Sequence, residues 1–351
     1  MSGFLDGQTG SHTGDRDAVS ASEALAGHGS VTGADVDEAA RRIEPYVHRT
    51  PVMSASTLDE ICGNSVFLKC ENFQRAGAFK ARGAFNALVR LSPEQRARGV
   101  VAYSSGNHAQ AVALAARVLG IQETILMPLD APASKAAAVE GYGARIVRFD
   151  RYEDDRAALA DELARQSGAT VLPPFDHPHI IAGQGTAARE LVDEVGELDV
   201  LLVPVSGGGL LAGSALAVRQ RLPGVRLVGI EPETGDDTKR SLESGVRVSG
   251  EVPRTVADGL AVDRPGALPF EIMRQLVDEI LLVGDEQIVE AMRWLFERTK
   301  LVVEPSGAVG VAALLNGLIG ARDARVGVIV SGGNVSAERF ARLVTGTGPG
   351  G

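Results

Sequence analysis

In the stretch ENFQRAGAFKARGAFNAL, residues 71–88, Lys80 stands between an aromatic ring and a run of small residues. A surface lysine needs no such neighbours, because its stem covers apolar atoms while its head stays in water. A lysine that forms a covalent imine needs a tight, water-poor pocket that lowers its pKa. Four further stretches carry groups suited to a small anionic ligand or a cation. In LDVLLVPVSGGGLLAG an apolar run ends at Val205, passes through Ser206, Gly207, Gly208 and Gly209, and gives way to a helical pattern near Leu210. Glycines let backbone N–H groups converge and a helix N-terminus adds positive partial charge, so this turn suits a phosphate. Neither the Gly-Lys-Ser/Thr of a nucleotide P-loop nor the dinucleotide pattern G-x-G-x-x-G is present. Taken alone, the turn also serves close packing. SSGNHAQA sets Ser104, Ser105, Asn107 and His108 at a strand-to-helix junction that suits a carboxylate or a ring oxygen, and equally suits plain N-capping. VIVSGGN ends another apolar run at Ser331. In EPETGDD, Glu231 and Asp237 flank Gly235, an oxygen-rich turn that fits a magnesium- or calcium-type ion or simply a solvated acidic loop.

These groups need elements that bring them together. The β-branched runs SVFLKC, GVVAYS, ETILMP, ARIVRF, LDVLLVPV, VRLVGIEP, DEILLV and VGVIVSGG read as buried strands. The stretches HAQAVALAARVLG, EDDRAALADELARQSG and GSALAVRQRL between them read as amphipathic helices. The alternation predicts an α/β fold of open, mostly parallel twisted sheets with helices on both faces, where ligands bind beyond the carboxyl ends of the strands. We expect two domains, a larger one from residues 31–98 plus 177–340 and a smaller one from 99–176. Residues 1–30 and 341–351 are rich in Gly, Ser, Thr and other small or polar residues, which predicts disordered tails. TGADVDEAARRIEPYV predicts a helix capped near Thr32 or Asp35 and stopped before Pro45.

The bulk composition narrows the function. A formal charge of -10 gives no basic footprint for a nucleic-acid partner. The two cysteines, Cys62 and Cys70, lack zinc-type or redox spacing and suit a reducing compartment. No signal-peptide pattern or membrane-length apolar run appears, so no membrane partner is expected and the cytoplasm is the expected location.

Together GAFKARGA, SSGNHAQA, DHPHIIAGQGTAARE, SGGGLLAG, EPETGDD, TVADGLAV, VVEPSGAVG and SGGN, in this order between about Ile43 and Asn334, resemble one known group. It is the pyridoxal-phosphate (PLP) family of threonine/serine ammonia-lyases (threonine dehydratases) and serine racemases, of fold type II, the tryptophan synthase β-like fold. The resemblance implies that Lys80 holds PLP through an imine, with Phe79 beside the ring. It implies that Asn107 binds the phenolic oxygen, that Ser206, Gly207, Gly208, Gly209 and Leu210 cradle the phosphate, and that Ser331 meets the pyridine nitrogen. A serine there makes the ring a weaker electron sink than a carboxylate would, which favours rapid expulsion of a β-leaving group. The substrate is then a small amino acid whose carboxylate is held by Ser104, Asn107 and His108, with Arg156. The freed Lys80 amine takes the α-proton, and Ser105 on the opposite side of the cofactor permits racemisation. Glu231, the Gly235 carbonyl and Asp237 match the family's divalent-cation site, for Mg or Ca, and Glu304 matches a family acid of open role. A homodimer is usual in the family, and no C-terminal regulatory domain is expected after SGGN.

The resemblance leads us to expect an L-threonine/L-serine ammonia-lyase releasing a 2-oxo acid and ammonia. Two alternatives stand close. GAFK, GYGARIVRFDRYEDD and PPFDHPHIIAGQGTA are more similar to enzymes acting on threo-3-hydroxy-L-aspartate or doubling as serine racemases, whereas TVADGLAV is similar to the threonine enzymes. A hydroxyaspartate enzyme needs a cation for the second carboxylate, and beyond Arg156 no lysine or arginine in the motifs is an obvious candidate. A non-catalytic small-molecule-binding α/β protein is the alternative from another class.

Overall fold

The computed structural model describes residues 31–104, 106–129, 131, 133–150 and 153–346. Among the described residues ten strands form two sheets. In chain order they are β1 (Val52–Met53), β2 (Ser65–Cys70), β3 (Val100–Tyr103), β4 (Glu123–Pro128), β5 (Arg145–Phe149), β6 (Thr170–Leu172), β7 (Val200–Pro204), β8 (Arg226–Pro232), β9 (Glu279–Val283) and β10 (Arg325–Val330). The larger sheet has the order β1-β2-β10-β7-β8-β9 and is parallel except for β1, which pairs antiparallel with β2. The smaller sheet, β5-β4-β3-β6, is parallel throughout. The eight apolar runs are all strands. The sequence reading missed β1 and β6, which at two and three residues are too short to show a pattern.

Parallel sheets need both faces covered, and the alternation of side chains along each strand does this. From β7 and β10, Val200, Leu202, Val326 and Val328 join one core with Val309 and Val311 of the Pro305–Leu315 helix. Leu201, Val203 and Ile329 point the other way, into a core with the helices Pro178–Val195 and Gly209–Arg221. Each fully buried aliphatic side chain contributes roughly 1.5–3 kcal/mol.

Three helices carry the site and cross almost backbone to backbone. A Cβ on Gly183 would lie 2.6 Å from the Arg82 carbonyl oxygen of the Lys80–Val89 helix, and one on Gly213 would lie 2.3 Å from that of Ile181. Glycine at these two crossings sets the lysine helix and the Gly209 helix at fixed heights on the Pro178–Val195 helix. The lysine helix also joins the two sheets. Its Ala84, Phe85 and Leu88 share a core with Val112, Ala116 and Ile125 of the smaller sheet's layer. Residues on both sides of position 98 therefore share this core.

A buried ionic network anchors the same helix. Arg82 is fully buried and pairs with Glu71 (Nε–Oε2 2.7 Å, Nη2–Oε1 2.8 Å) and Glu190 (Nη1–Oε1 2.7 Å, Nη2–Oε2 2.8 Å). Lys69 reaches Glu190 at 2.7 Å and the Thr50 carbonyl at 2.6 Å, and Thr50 Oγ1 donates to Glu71 at 2.5 Å. Burial opposes the Arg82 charge, but the two glutamates hold its pKa above the ordinary arginine value.

Two expectations about the ends meet the structure differently. The first helix runs Gly33–Ile43 with a Thr32/Asp35 capping box, as its sequence implies, while residues 1–30 lie outside the described residues. Residues 341–346, expected in a disordered tail, are a correction: Ala337–Thr345 is a helix capped by Ser336, and only residues 347–351 fall outside the description. Phe340 packs edge-on against Phe296 with ring centroids 5.2 Å apart, and Leu343 and Val344 pack on the core. The spacing of 340, 343 and 344 is that of an amphipathic helix, which the polar composition beyond it obscured. Among the described residues no helix is long and apolar enough to cross a membrane.

Candidate active site

The carboxyl ends of β3, β7 and β10 open on one cavity, which brings together groups far apart in sequence. Phe79, Lys80, Ser104, Asn107, His108, Arg156, Ser206, Gly207, Gly208, Gly209, Leu210 and Ser331 all line it. Ser105 falls outside the described residues. Glu231, Gly235 and Asp237 do not line it: Glu231 is near the end of β8, Gly235 is in the turn that follows, and Asp237 starts the Asp237–Ser244 helix.

Lys80 begins its helix, and its Nζ donates to the Pro174 carbonyl at 2.7 Å and lies 5.1 Å from the Phe79 ring centroid. Burial pulls the amine down to about 7, so much of it is uncharged at neutral pH. That is the state a nucleophilic or basic lysine requires. Opposite, the chain leaves β7 and turns at Gly208, whose φ of 88° lies in the left-handed region. No side chain caps the helix that starts at Gly209, so its first N–H groups remain available to an anion. A Cβ on Gly207 would meet the Phe175 ring at 2.3 Å, and one on Gly209 would lie 2.6 Å from Gln184 Oε1. Only glycine leaves this cradle open. Ser331 is 3% exposed at the end of β10, and its carbonyl accepts from Phe79 N at 3.0 Å.

At the end of β3, Ser104 Oγ accepts from Gly106 N at 3.1 Å, and the helix Asn107–Leu119 starts without a side-chain cap. His108 is buried, and its Nε2 lies 3.0 Å from the Leu172 carbonyl. That carbonyl can only accept, so the ring proton is on Nε2 and Nδ1 is an acceptor without a partner among the described residues. Burial, then the Lys80 charge, pull His108 down to about 3. A neutral acceptor repels a carboxylate oxygen, so the ring of His108 does not suit the carboxylate contact expected of it. Arg156 heads the Arg156–Ser167 helix at the exposed side of the cavity, with its guanidinium carbon 5.9 Å from the Tyr103 ring centroid. The sequence reading missed Tyr103, Pro174, Phe175 and the 258–262 loop as lining residues. The Pro174 contact uses a backbone carbonyl, which side-chain type cannot reveal.

A buried lysine with a lowered pKa, an uncapped glycine-rich helix start, a buried serine at the end of β10 and a polar helix start around one cavity fit PLP. The family model for "Pyridoxal-phosphate dependent enzyme" matches residues 43–332. The chain belongs to this family, is a PLP-dependent enzyme, and has the fold type II, tryptophan synthase β-like architecture. It is 50% identical over 318 residues to the L-threo-3-hydroxyaspartate ammonia-lyase of Saccharomyces cerevisiae, covering 90% of this chain and 97% of that protein. It is 48% identical to the serine racemase of Schizosaccharomyces pombe over 311 residues, 89% and 96% of the two chains. The solved structure of maize serine racemase superposes with a TM-score of 0.86 at 41% identity, covering 90% of this chain and 97% of that one.

Proposed function

We propose that this protein is an L-threo-3-hydroxyaspartate ammonia-lyase, releasing a 2-oxo acid and ammonia. The threonine/serine reading drawn from the family resemblance is thereby set second to the branch favoured by GAFK, GYGARIVRFDRYEDD and PPFDHPHIIAGQGTA. The observation that carries the proposal is Arg156, an arginine at the mouth of the cavity that contains Lys80. Threonine and serine offer it only a methyl group or a hydrogen, whereas hydroxyaspartate offers a second carboxylate for a charge-assisted, bidentate contact. The identity to the yeast lyase supports the same branch.

Lys80 would hold PLP, the Ser206–Leu210 turn its phosphate, Asn107 its ring oxygen and Ser331 its ring nitrogen. When bound, PLP supplies an electron sink for the bond that breaks at the substrate α-carbon. Lys80 Nζ, with its lowered pKa, takes the α-proton. The backbone N–H groups at the start of the Asn107 helix and Ser104 hold the α-carboxylate, and Arg156 holds the side-chain carboxylate. The β-hydroxyl departs with a proton as water, and the enamine product hydrolyses to the 2-oxo acid and ammonia.

Arg156→Gln should lower kcat/KM for hydroxyaspartate about 100-fold, the loss of one charged contact pair, while changing serine turnover only a fewfold. Equal losses on both substrates would overturn the assignment. The identity to a serine racemase supports a second activity on the same site: D-serine should form from L-serine and vanish in Ser105→Ala.

Glu231 and Asp237 fit a divalent cation. They are 1% and 3% exposed, and Asp237 Oδ2 has no hydrogen-bond partner among the described residues. Glu231 accepts from the backbone N–H of Thr238 (3.1 Å) and Lys239 (3.0 Å). Burial and then the Asp237 charge push Glu231 up to about 8, and burial pushes Asp237 up to about 7. Among the described residues no group of three or more His, Cys, Asp or Glu forms a metal cluster, so the Gly235 carbonyl and water would complete the shell.

A further inference from the structure

The loop after β10 runs along the loop that leads into Lys80. Gly333 N donates to the Gly77 carbonyl at 2.9 Å, Phe79 N donates to the Ser331 carbonyl at 3.0 Å, and Ala78 and Gly332 form an antiparallel bridge. Asn334 closes this seam. Its Nδ2 donates to the Ala76 carbonyl at 2.7 Å and to Asn107 Oδ1 at 2.9 Å, using both amide hydrogens. Ala76 has a φ of 56°, a left-handed backbone unusual for alanine, so its carbonyl is aimed by strain that the seam must hold. On its other side, Asn107 Nδ2 donates to Glu304 Oε1 at 2.6 Å.

We propose that Asn334 is a positioning residue that fixes the orientation of the Asn107 amide, so that Asn107 presents a donor to an anionic ring oxygen of the bound cofactor. The inference rests on the PLP reading of Asn107 given above. Its logic is a chain of obligatory partners. The Ala76 carbonyl can only accept, so Asn334 must point its NH2 toward it and toward Asn107. Asn107 must then meet Asn334 with its oxygen and Glu304 with its nitrogen. A flipped Asn107 would face NH2 against NH2 on one side and oxygen against carboxylate on the other. In the observed orientation one Asn107 Nδ2–H is spent on Glu304 and the other is left to donate.

The test uses the purified holoenzyme without substrate and reads two quantities, the Kd for PLP and the pH midpoint of the bound cofactor's visible absorbance. A donor on an anionic oxygen lowers its basicity, so losing the donor should raise the midpoint. Asn334→Asp keeps the size but removes both donated hydrogens. It should weaken PLP binding about tenfold and raise the midpoint by about one pH unit, as expected for one hydrogen bond to a charged group. Asn107→Ala should do at least as much, and the double variant should do no more than Asn107→Ala alone. Glu304→Gln, which lets Asn107 flip, should raise the midpoint in the same direction and gives a second reading if Asn334→Asp fails to fold. Wild-type affinity and midpoint in Asn334→Asp would overturn the proposal and leave the cofactor role of Asn107 standing. So would an undiminished Asn334 effect in the Asn107→Ala background. An unchanged midpoint in Asn107→Ala would overturn both.

Discussion

Two buried clusters of ionisable groups in this molecule differ in charge balance. In the Arg82 network two cations meet two carboxylates, and each Arg82 pair lies within 2.8 Å. In the Glu231/Asp237 pair two buried carboxylates flank the turn after β8, and one Asp237 oxygen has no partner among the described residues. The first cluster is complete within the protein and ties the lysine helix to β2 and to the Pro178–Val195 helix. Among the described residues neither Glu231 nor Asp237 forms an ion pair, and the proposed cation would supply the balancing charge.

The sharpest way to test this contrast is to break each cluster. Arg82→Ala strands the buried Glu71 carboxylate and leaves Glu190 with Lys69 alone, and should cost about 3–5 kcal/mol of stability, read as a large fall in urea midpoint. A loss below about 1 kcal/mol would mean that water enters and replaces the guanidinium. The next effect is pH-dependent. Both acidic groups have folded-state pKa values above their ordinary ones, about 8 against 4.5 for Glu231 and about 7 against 3.8 for Asp237. The folded state therefore holds more protons than the unfolded one between these values, and stability falls as pH rises through that window. In chelator, Tm should drop between pH 5 and pH 8, and excess magnesium or calcium should recover it most at pH 8. A cation-independent Tm at pH 8 would contradict the site. The smallest effect belongs to Glu231→Gln, which removes one of two repelling charges. In chelator at pH 8 its Tm should equal or exceed the wild type's, while its response to the cation disappears.

Much of this was legible in local sequence. Lys80 amid small residues and the glycine turn after a strand show within a few residues, and the structure puts both on one cavity. The long apolar strands show in the same way. What stayed hidden depends on partners far along the chain. Arg82 finds Glu190 at a separation of 108 residues, and Asn334 finds Asn107 at 227. Neither pairing leaves a periodic trace. The His108 tautomer depends on the Leu172 carbonyl in β6, a strand too short to read. The Ala337–Thr345 helix was obscured by the glycine-rich residues that follow it.

The central claim is that a PLP enzyme with Arg156 at its mouth prefers a substrate with a second carboxylate. The most direct test is kcat/KM for 2-oxo-acid release by the wild-type holoenzyme, with magnesium present, from L-threo-3-hydroxyaspartate, L-serine and L-threonine. A preference for hydroxyaspartate of about tenfold or more, the least a charged contact should give, is the predicted result. Serine or threonine turning over faster than hydroxyaspartate would contradict it.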